Sequence, residues 1–189
     1  MSKIQSKAQQ NMKSVIQRIA TGPELSKNIS REEAKQSMLD ILNGEIDQVQ
    51  SAIFLIALRM KRETMDENLG VHDAIIETTS SVRVSCKNLI NIADPYDGFS
   101  RNLPSSLFLL PVLAELGFPS FSHGVFSVGP KYGCTHHQSL KDLGYNTHNS
   151  LDEIAERLEN KNIGWAYADH SIFNPKLFSL MNLRKKIIK

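Results

Sequence analysis

Cysteine is scarce: Cys86 and Cys134 are the only two in 189 residues. Their spacing suits neither a metal site nor a redox pair, so two free thiols in a reducing compartment are expected. Charge of one sign is also short. Lys and Arg total 22 against 20 Asp and Glu, a formal +2 that does not by itself point to nucleic acid or a membrane surface. No apolar run approaches the ~20 residues of a membrane span. The longest, Ala52 to Leu58 and Leu107 to Leu110, suit buried elements. The N-terminus carries Lys3 and Lys7 but no apolar signal core, so a cytoplasmic location is expected. Repeats and low-complexity tracts are absent. What is present, 41% hydrophobic and 22% charged residues, is the composition of a globular protein with one full domain or two small ones.

The first part reads as helices only. Ile4, Met12, Val15, Ile16 and Ile19 share one helical stripe, ended by Gly22-Pro23. Ser30-Arg31-Glu32-Glu33 is a capping box, in which a hydroxyl and a carboxylate satisfy the exposed N–H groups of a helix start. Its helix carries Ala34, Met38, Ile41 and Leu42 and stops at Gly44. Asp47 opens a third helix, apolar nearly all round from Ala52 to Leu58 and so expected to be central and buried. Thr64 to Glu67 caps a fourth. The period then changes. Strands are expected at Asn88 to Ala93, Pro119 to Ser122 and Ile163 to Ala168, with Val82 and Val84 in an earlier one. Helices are expected at Ser105 to Gly117, kinked at Pro111, at Thr135 to Leu143, at Ser150 to Asn160 and from Pro175 onward. Strands alternating with helices argue for a parallel sheet. The expected fold class is α/β: a helical bundle over residues 1–80 followed by an incomplete parallel α/β domain over 81–189, with Thr79-Ser80-Ser81 as hinge. Arg184, Lys185, Lys186 and Lys189 crowd a last helix that no cap or glycine closes, so the chain is expected to be C-terminally truncated.

Two polar, glycine-bearing loops bracket the helix at Leu107 to Leu116. The first holds Asp94, Asp97, Gly98, Asn102 and Ser105, and the second His123, Gly124, Ser127, Lys131 and Gly133. A phosphate loop uses glycines so that backbone N–H groups approach the ligand, with hydroxyl or lysine donors for phosphate oxygens and carboxylates for Mg²⁺ or ribose hydroxyls. Asn102 and Ser105 stand at a helix start, where the dipole favours an anion. The same residue types also make ordinary turns and N-caps, and both readings stand. His123 is either a pocket wall or a histidine bonded to the backbone. His136, His137 and His148 read as surface residues without metal-ligand spacing. Asp169 and His170 end the last strand at the same sheet edge, and no Ser or Cys beside them carries a nucleophile motif.

With the helices before them, these motifs resemble the anthranilate phosphoribosyltransferase family, glycosyltransferase family 3, along the whole chain. Ser30 to Ala34, Leu42 to Glu45 and Gln50 to Lys61 are similar to its helical domain. The run from His123 and Gly124 through Ser127 and Val128 to Lys131 and Gly133 is similar to its second loop. Tyr167-Ala168 with Asn174-Pro175 resembles the family's segment ending in His-Pro, and Arg184 its next arginine. Asp97 and Gly98 match the end of the Gly-Thr-Gly-Gly-Asp-Gly diphosphate loop, and Asn102 and Ser105 the Asn and Thr of Asn-Ile-Ser-Thr. Asp94-Pro95-Tyr96 replaces the glycine-rich start, Ser122 a lysine, and Val125-Phe126 an Asn-Arg pair.

The resemblance implies transfer of phosphoribosyl from phosphoribosyl diphosphate to an aromatic amine, in tryptophan biosynthesis. It implies Mg²⁺ as cofactor, with the family's acidic pair falling beyond Lys189, and a homodimer formed through the helical domain. The substrate-binding residues it implies are Asp94, Asp97, Gly98, Asn102, Ser105, His123, Gly124, Ser127, Lys131, Gly133, His170 and Arg184. The pattern from Tyr96-Asp97-Gly98 to His123-Gly124 is closer to a divergent branch of the fold, in which nucleic-acid binding has been associated with some members. Three functional expectations follow: a phosphoribosyltransferase-type enzyme, a non-catalytic nucleic-acid-binding module, or an inactive fragment.

Overall fold

A computed structural model describes residues 6–22, 24–94 and 97–187; Lys3, Ile4, Pro23, Pro95, Tyr96 and Lys189 lie outside the described residues. Two compact units divide the chain, Met1–Thr79 and Ser80–Lys189.

The first unit contains α1 (Lys7–Ile19), α2 (Arg31–Leu42), α3 (Gln48–Lys61) and α4 (Met65–Glu77). Each start is capped as its sequence dictates, by Ser30 with Glu33 on α2, by Asp47 on α3 and by Thr64 with Glu67 on α4. Met12, Val15 and Ile19 are the buried stripe of α1. α4 lies so close to α2 that a Cβ on Gly70 would collide with the Arg31 carbonyl. Glu67 is fully buried, and Lys61 Nζ at 2.7 Å and the backbone N–H groups of Ile29 and Thr64 donate to its carboxylate. Those bonds offset the cost of burying a charge and hold its pKa below the usual carboxylate value against the opposing effect of burial.

One expectation fails in α3. Ser51, Phe54, Ala57 and Leu58 are buried, but Val49, Ile53, Ile56 and Met60 are exposed. A helix that is apolar all round is covered all round only where neighbours flank every side. Here α1 covers one side, and Ile53, Ile56 and Met60 line an open apolar groove of about 480 Å³ together with Ile19.

The second unit is built on three parallel strands in the order β1 (Ile90–Ala93), β2 (Ser120–Gly124), β3 (Trp165–Asp169). Ile92 pairs with Ser122 and Ser122 with Tyr167, so these side chains share one face; Ala93, His123 and Ala168 share the other. The first face packs on Leu107, Leu110 and Leu140, with Tyr145 and Trp165 beside Tyr167. The second packs on Ile154 and Leu158, with Phe121 and Phe173. Helices thus cover both faces: α5 (Leu109–Glu115) and α6 (His136–Asp142) one, α7 (Leu151–Glu159) and the short α8 (His170–Phe173) the other. α9 (Pro175–Ser179) and α10 (Met181–Ile187) follow.

Three details depart from expectation. Val82 and Val84 form no strand; Val84 packs against the Ile154 cluster from an irregular segment. Pro111 makes no kink, because the segment starts as a 3₁₀ turn (Ser105–Phe108) and becomes α-helical only at Leu109. Pro111 therefore falls in the first turn, where a missing N–H costs nothing. Finally, β3 runs directly into α8, with Asp169 as its N-cap.

Candidate functional site

Parallel strands end side by side, so the residues after β1, β2 and β3 meet at one edge of the sheet. The two polar loops leave from that edge and are tied to each other. Phe99 and Cys134 exchange backbone hydrogen bonds of 2.8 and 2.9 Å, and Gly133 N–H donates to the Asp97 carbonyl at 2.9 Å. Gly98 has φ +79°, and a Cβ there would collide with the Gly133 carbonyl. A Cβ on Gly133 would lie 2.7 Å from carbonyl carbons of Gly98 and Phe99. Both glycines thus serve the crossing of one loop over the other.

The crossing shapes an open cleft of about 410 Å³, lined by Gly98, Phe99, Ser100, Arg101, Asn102 and Lys131. Lys131 Nζ lies 3.3 Å from Asp97 Oδ2. Four of the sequence-predicted residues, Asp97, Gly98, Asn102 and Lys131, therefore gather here, joined by Arg101, which sequence reasoning did not single out. Two cations and an amide facing open space can hold an anion. Ser105 is exposed at the start of the 3₁₀ turn, and Ser127 is half-buried in the second loop. Arg184 sits on α10 and donates to the Gly129 carbonyl from Nε and Nη2, at 3.3 and 3.1 Å, so its guanidinium holds the second loop in place.

Other predicted residues separate. His123 and Gly124 are adjacent in sequence, but strand alternation sends them to opposite faces. His123 stacks on His170 with ring centroids 5.1 Å apart. The Asn91 side-chain amide lies 3.3 Å from His123 Nε2, and His123 Nδ1 lies 2.9 Å from His170 Nε2. With the Asn91 amide N–H donating to Nε2, His123 would carry its proton on Nδ1 and donate to His170. Burial pushes both pKa values down, that of His170 to about 4. On the other face, Gly124 leaves room for Asp94 and Tyr167, whose Oδ2 and hydroxyl would stand 3.1 and 3.3 Å from a Cβ at that position.

Asp94 is half-buried as a residue, but its side chain is only 8% exposed there. Its Oδ2 accepts the backbone N–H of His136 at 3.0 Å, while Oδ1 and the Tyr167 hydroxyl have no hydrogen-bond partner. Burial raises the Asp94 carboxyl to about 6 and pushes the Tyr167 hydroxyl upward as well.

His136 and His137 correct the expectation of surface histidines: they are 0% and 3% exposed. His136 Nδ1 lies 2.7 Å from Ser122 Oγ and Nε2 2.9 Å from Ser106 Oγ, and burial depresses its pKa to about 4. Ser122 thus replaces the resembled family's lysine with a buried hydrogen bond. His137 approaches Asp169 with Nδ1 3.2 Å from Oδ2, and His148, which is exposed, does so at 3.4 Å. Polar spacing along the chain carried no sign of these contacts, because positions 94, 136, 137 and 169 meet only through the parallel crossovers.

Residues 13–79 match the helical bundle domain of the glycosyl transferase family. Anthranilate phosphoribosyltransferase of Methanopyrus kandleri is 30% identical over 178 residues, 92% of this chain and 49% of the relative. That of Marinobacter nauticus is 31% identical over 84% of this chain and 44% of its own. The solved structure of the Thermus thermophilus enzyme superposes with a TM-score of 0.77 at 20% identity, covering 95% of this chain and 51% of that one. The Saccharomyces cerevisiae enzyme in complex with PRPP and Mg gives 0.72 at 14%, covering 97% and 52%. The chain spans about half the length of these relatives, and the resemblance read from its motifs extends through both units.

Proposed function

We propose that this chain, a relative of the anthranilate phosphoribosyltransferases with their helical domain and α/β fold, binds phosphoribosyl diphosphate (PRPP) for transfer to an aromatic amine. The observation that carries this reading is the cleft where Gly98 to Asn102 meets Lys131 across the loop crossing. Arg101 and Lys131 would take the diphosphate, with Asn102 donating to a phosphate oxygen. Both cations face the group on which negative charge builds as the glycosidic bond breaks, so they would stabilise the departing diphosphate. Asp97 orients Lys131. No nucleophile is required, since positioning and charge stabilisation suffice.

Mg²⁺ does not fit the described residues alone. No carboxylate lines the cleft among the described residues, and Asp97 beside it is buried and already paired with Lys131, whereas Mg²⁺ sites commonly use one or two carboxylates plus substrate phosphates. No step is assigned to it. We also assign the open groove on α3 to a second copy of the chain, as the resemblance implies. No helix among the described residues is long and apolar enough to cross a membrane, and two free thiols suit the cytoplasm.

The test is a thermal-shift titration of the purified protein with millimolar PRPP, with and without Mg²⁺. A concentration-dependent rise in Tm supports the reading. A flat titration, with single-stranded DNA binding that weakens steeply with salt instead, would replace it with the nucleic-acid reading.

A further inference from the structure

We propose that His137, His148 and Asp169 form a zinc site at the carboxyl edge of the sheet. The three come from separate elements: His137 from the first turn of α6, His148 from the turn before α7, and Asp169 from the end of β3. One ligand atom of each lies within 4.8 Å of the others. His137 Nδ1 and His148 Nδ1 stand 3.2 and 3.4 Å from the same oxygen, Asp169 Oδ2. Ligands placed tetrahedrally at zinc bond lengths of about 2.0–2.2 Å are roughly 3.3–3.6 Å apart. The separations of both histidines from Asp169 are thus close to those that an ion would impose.

Each ligand is held by a second contact that leaves the required atom free. Thr147 Oγ1 lies 3.0 Å from His137 Nε2. Ser171 N–H donates to Asp169 Oδ1 at 2.8 Å, leaving Oδ2 available. The His148 backbone N–H donates to Asn146 Oδ1 at 3.1 Å and fixes that turn. Such outer partners are typical of histidine and carboxylate metal ligands.

The independent sign is His137 Nδ1. It is buried, has no hydrogen-bond partner and faces the carboxylate. In the tautomer that donates Nε2–H to Thr147, the Nδ1 lone pair would confront carboxylate lone pairs, and a cation between them would turn that repulsion into two bonds. A buried unpaired nitrogen is otherwise costly. Two imidazoles and one carboxylate favour zinc over the hard cations Mg²⁺ and Ca²⁺. Three protein ligands leave the fourth position open, and the His148 side chain, 64% exposed, gives the ion a path from solvent. The bound ion would pin the turn at His148 to the sheet edge. None of these residues lines the anion cleft.

Calorimetric titration of the metal-free purified protein with ZnCl₂ tests the site. One ion per chain is expected, with Mg²⁺ producing no binding. His148→Ala, at an exposed position, should leave the metal-free Tm unchanged and weaken zinc binding at least tenfold. Cobalt(II) supplies a readout needing no variant: intense visible bands of a four- or five-coordinate ion should appear and vanish on adding zinc. No zinc heat, zinc binding unchanged in His148→Ala, or six-coordinate cobalt bands would each overturn the proposal.

Discussion

The open cleft and the buried sheet edge are built from similar residue types, yet they behave oppositely. In the cleft, Arg101, Asn102 and Lys131 face solvent, and the one ion pair, Lys131 with Asp97, is mostly exposed on the lysine side. At the edge, His136, His137, Tyr167 and Asp169 are buried and the Asp94 side chain nearly so, and burial rather than charge pairing is the largest cause shifting Asp94, His136, His137 and Tyr167. Polar residues in solvated loops can wait for a ligand at little cost. Those placed under the sheet edge must be matched to one another or to something bound.

The comparison breaks most sharply at the glycines that join the two regions. Gly98→Ala puts a side chain at positive φ and into the Gly133 carbonyl. It should destabilise the α/β unit by more than about 3 kcal/mol, combining backbone strain with a steric clash. Urea unfolding with the m-value monitored measures it. Wild-type stability would show that the loops do not cross as described.

Asp94 sharpens the buried side. Its carboxyl is raised from 3.8 to about 6, so between those values the folded state keeps a proton that the unfolded state has released. Stability contributed by this group is present at low pH and lost as pH rises through that window, by roughly 3 kcal/mol at most. Asp94→Asn removes the titration but keeps an acceptor for His136 N–H. Its stability relative to the wild type should therefore rise between pH 4 and pH 7, and a difference independent of pH would contradict the burial argument.

On the open side, Lys131→Ala should change stability by about 1 kcal/mol, since the lysine end of the pair is exposed while its partner Asp97 is buried. It should weaken PRPP binding about tenfold or more, the value of one charged contact to phosphate. Smaller still in folding terms, Ile56→Lys on the exposed face of α3 should leave the unit folded while converting a dimer to a monomer, as light scattering would report. A monomeric wild type would remove the second copy from that face.

How much was legible follows the same division. The helical unit was read almost element by element, because capping boxes and the 3.6-residue period are local. Only the exposure of Ile53 and Ile56 escaped, since it depends on which neighbours are present. In the α/β unit, the strands, the alternation and the polar loops were also visible. The close crossing at Gly98 and Gly133, the role of Arg101 and the burial of His136 and His137 were not. Each depends on register and crossover, which bring positions 30 to 45 residues apart into contact. His170 was foreseen at the edge, and His123 as either a pocket wall or a histidine bonded to the backbone; alternation along β2 turns His123 to the face opposite Gly124, where it bonds to side chains, Asn91 and His170.

The most direct test of the central claim is calorimetric titration of PRPP into three proteins: the wild type, the cleft variant Arg101→Ala/Lys131→Ala, and His148→Ala. Binding should occur in the wild type, be lost in the cleft variant and persist in His148→Ala. Binding that survives removal of both cations, or no binding by the wild type at millimolar PRPP, would contradict the assignment of the cleft to the diphosphate.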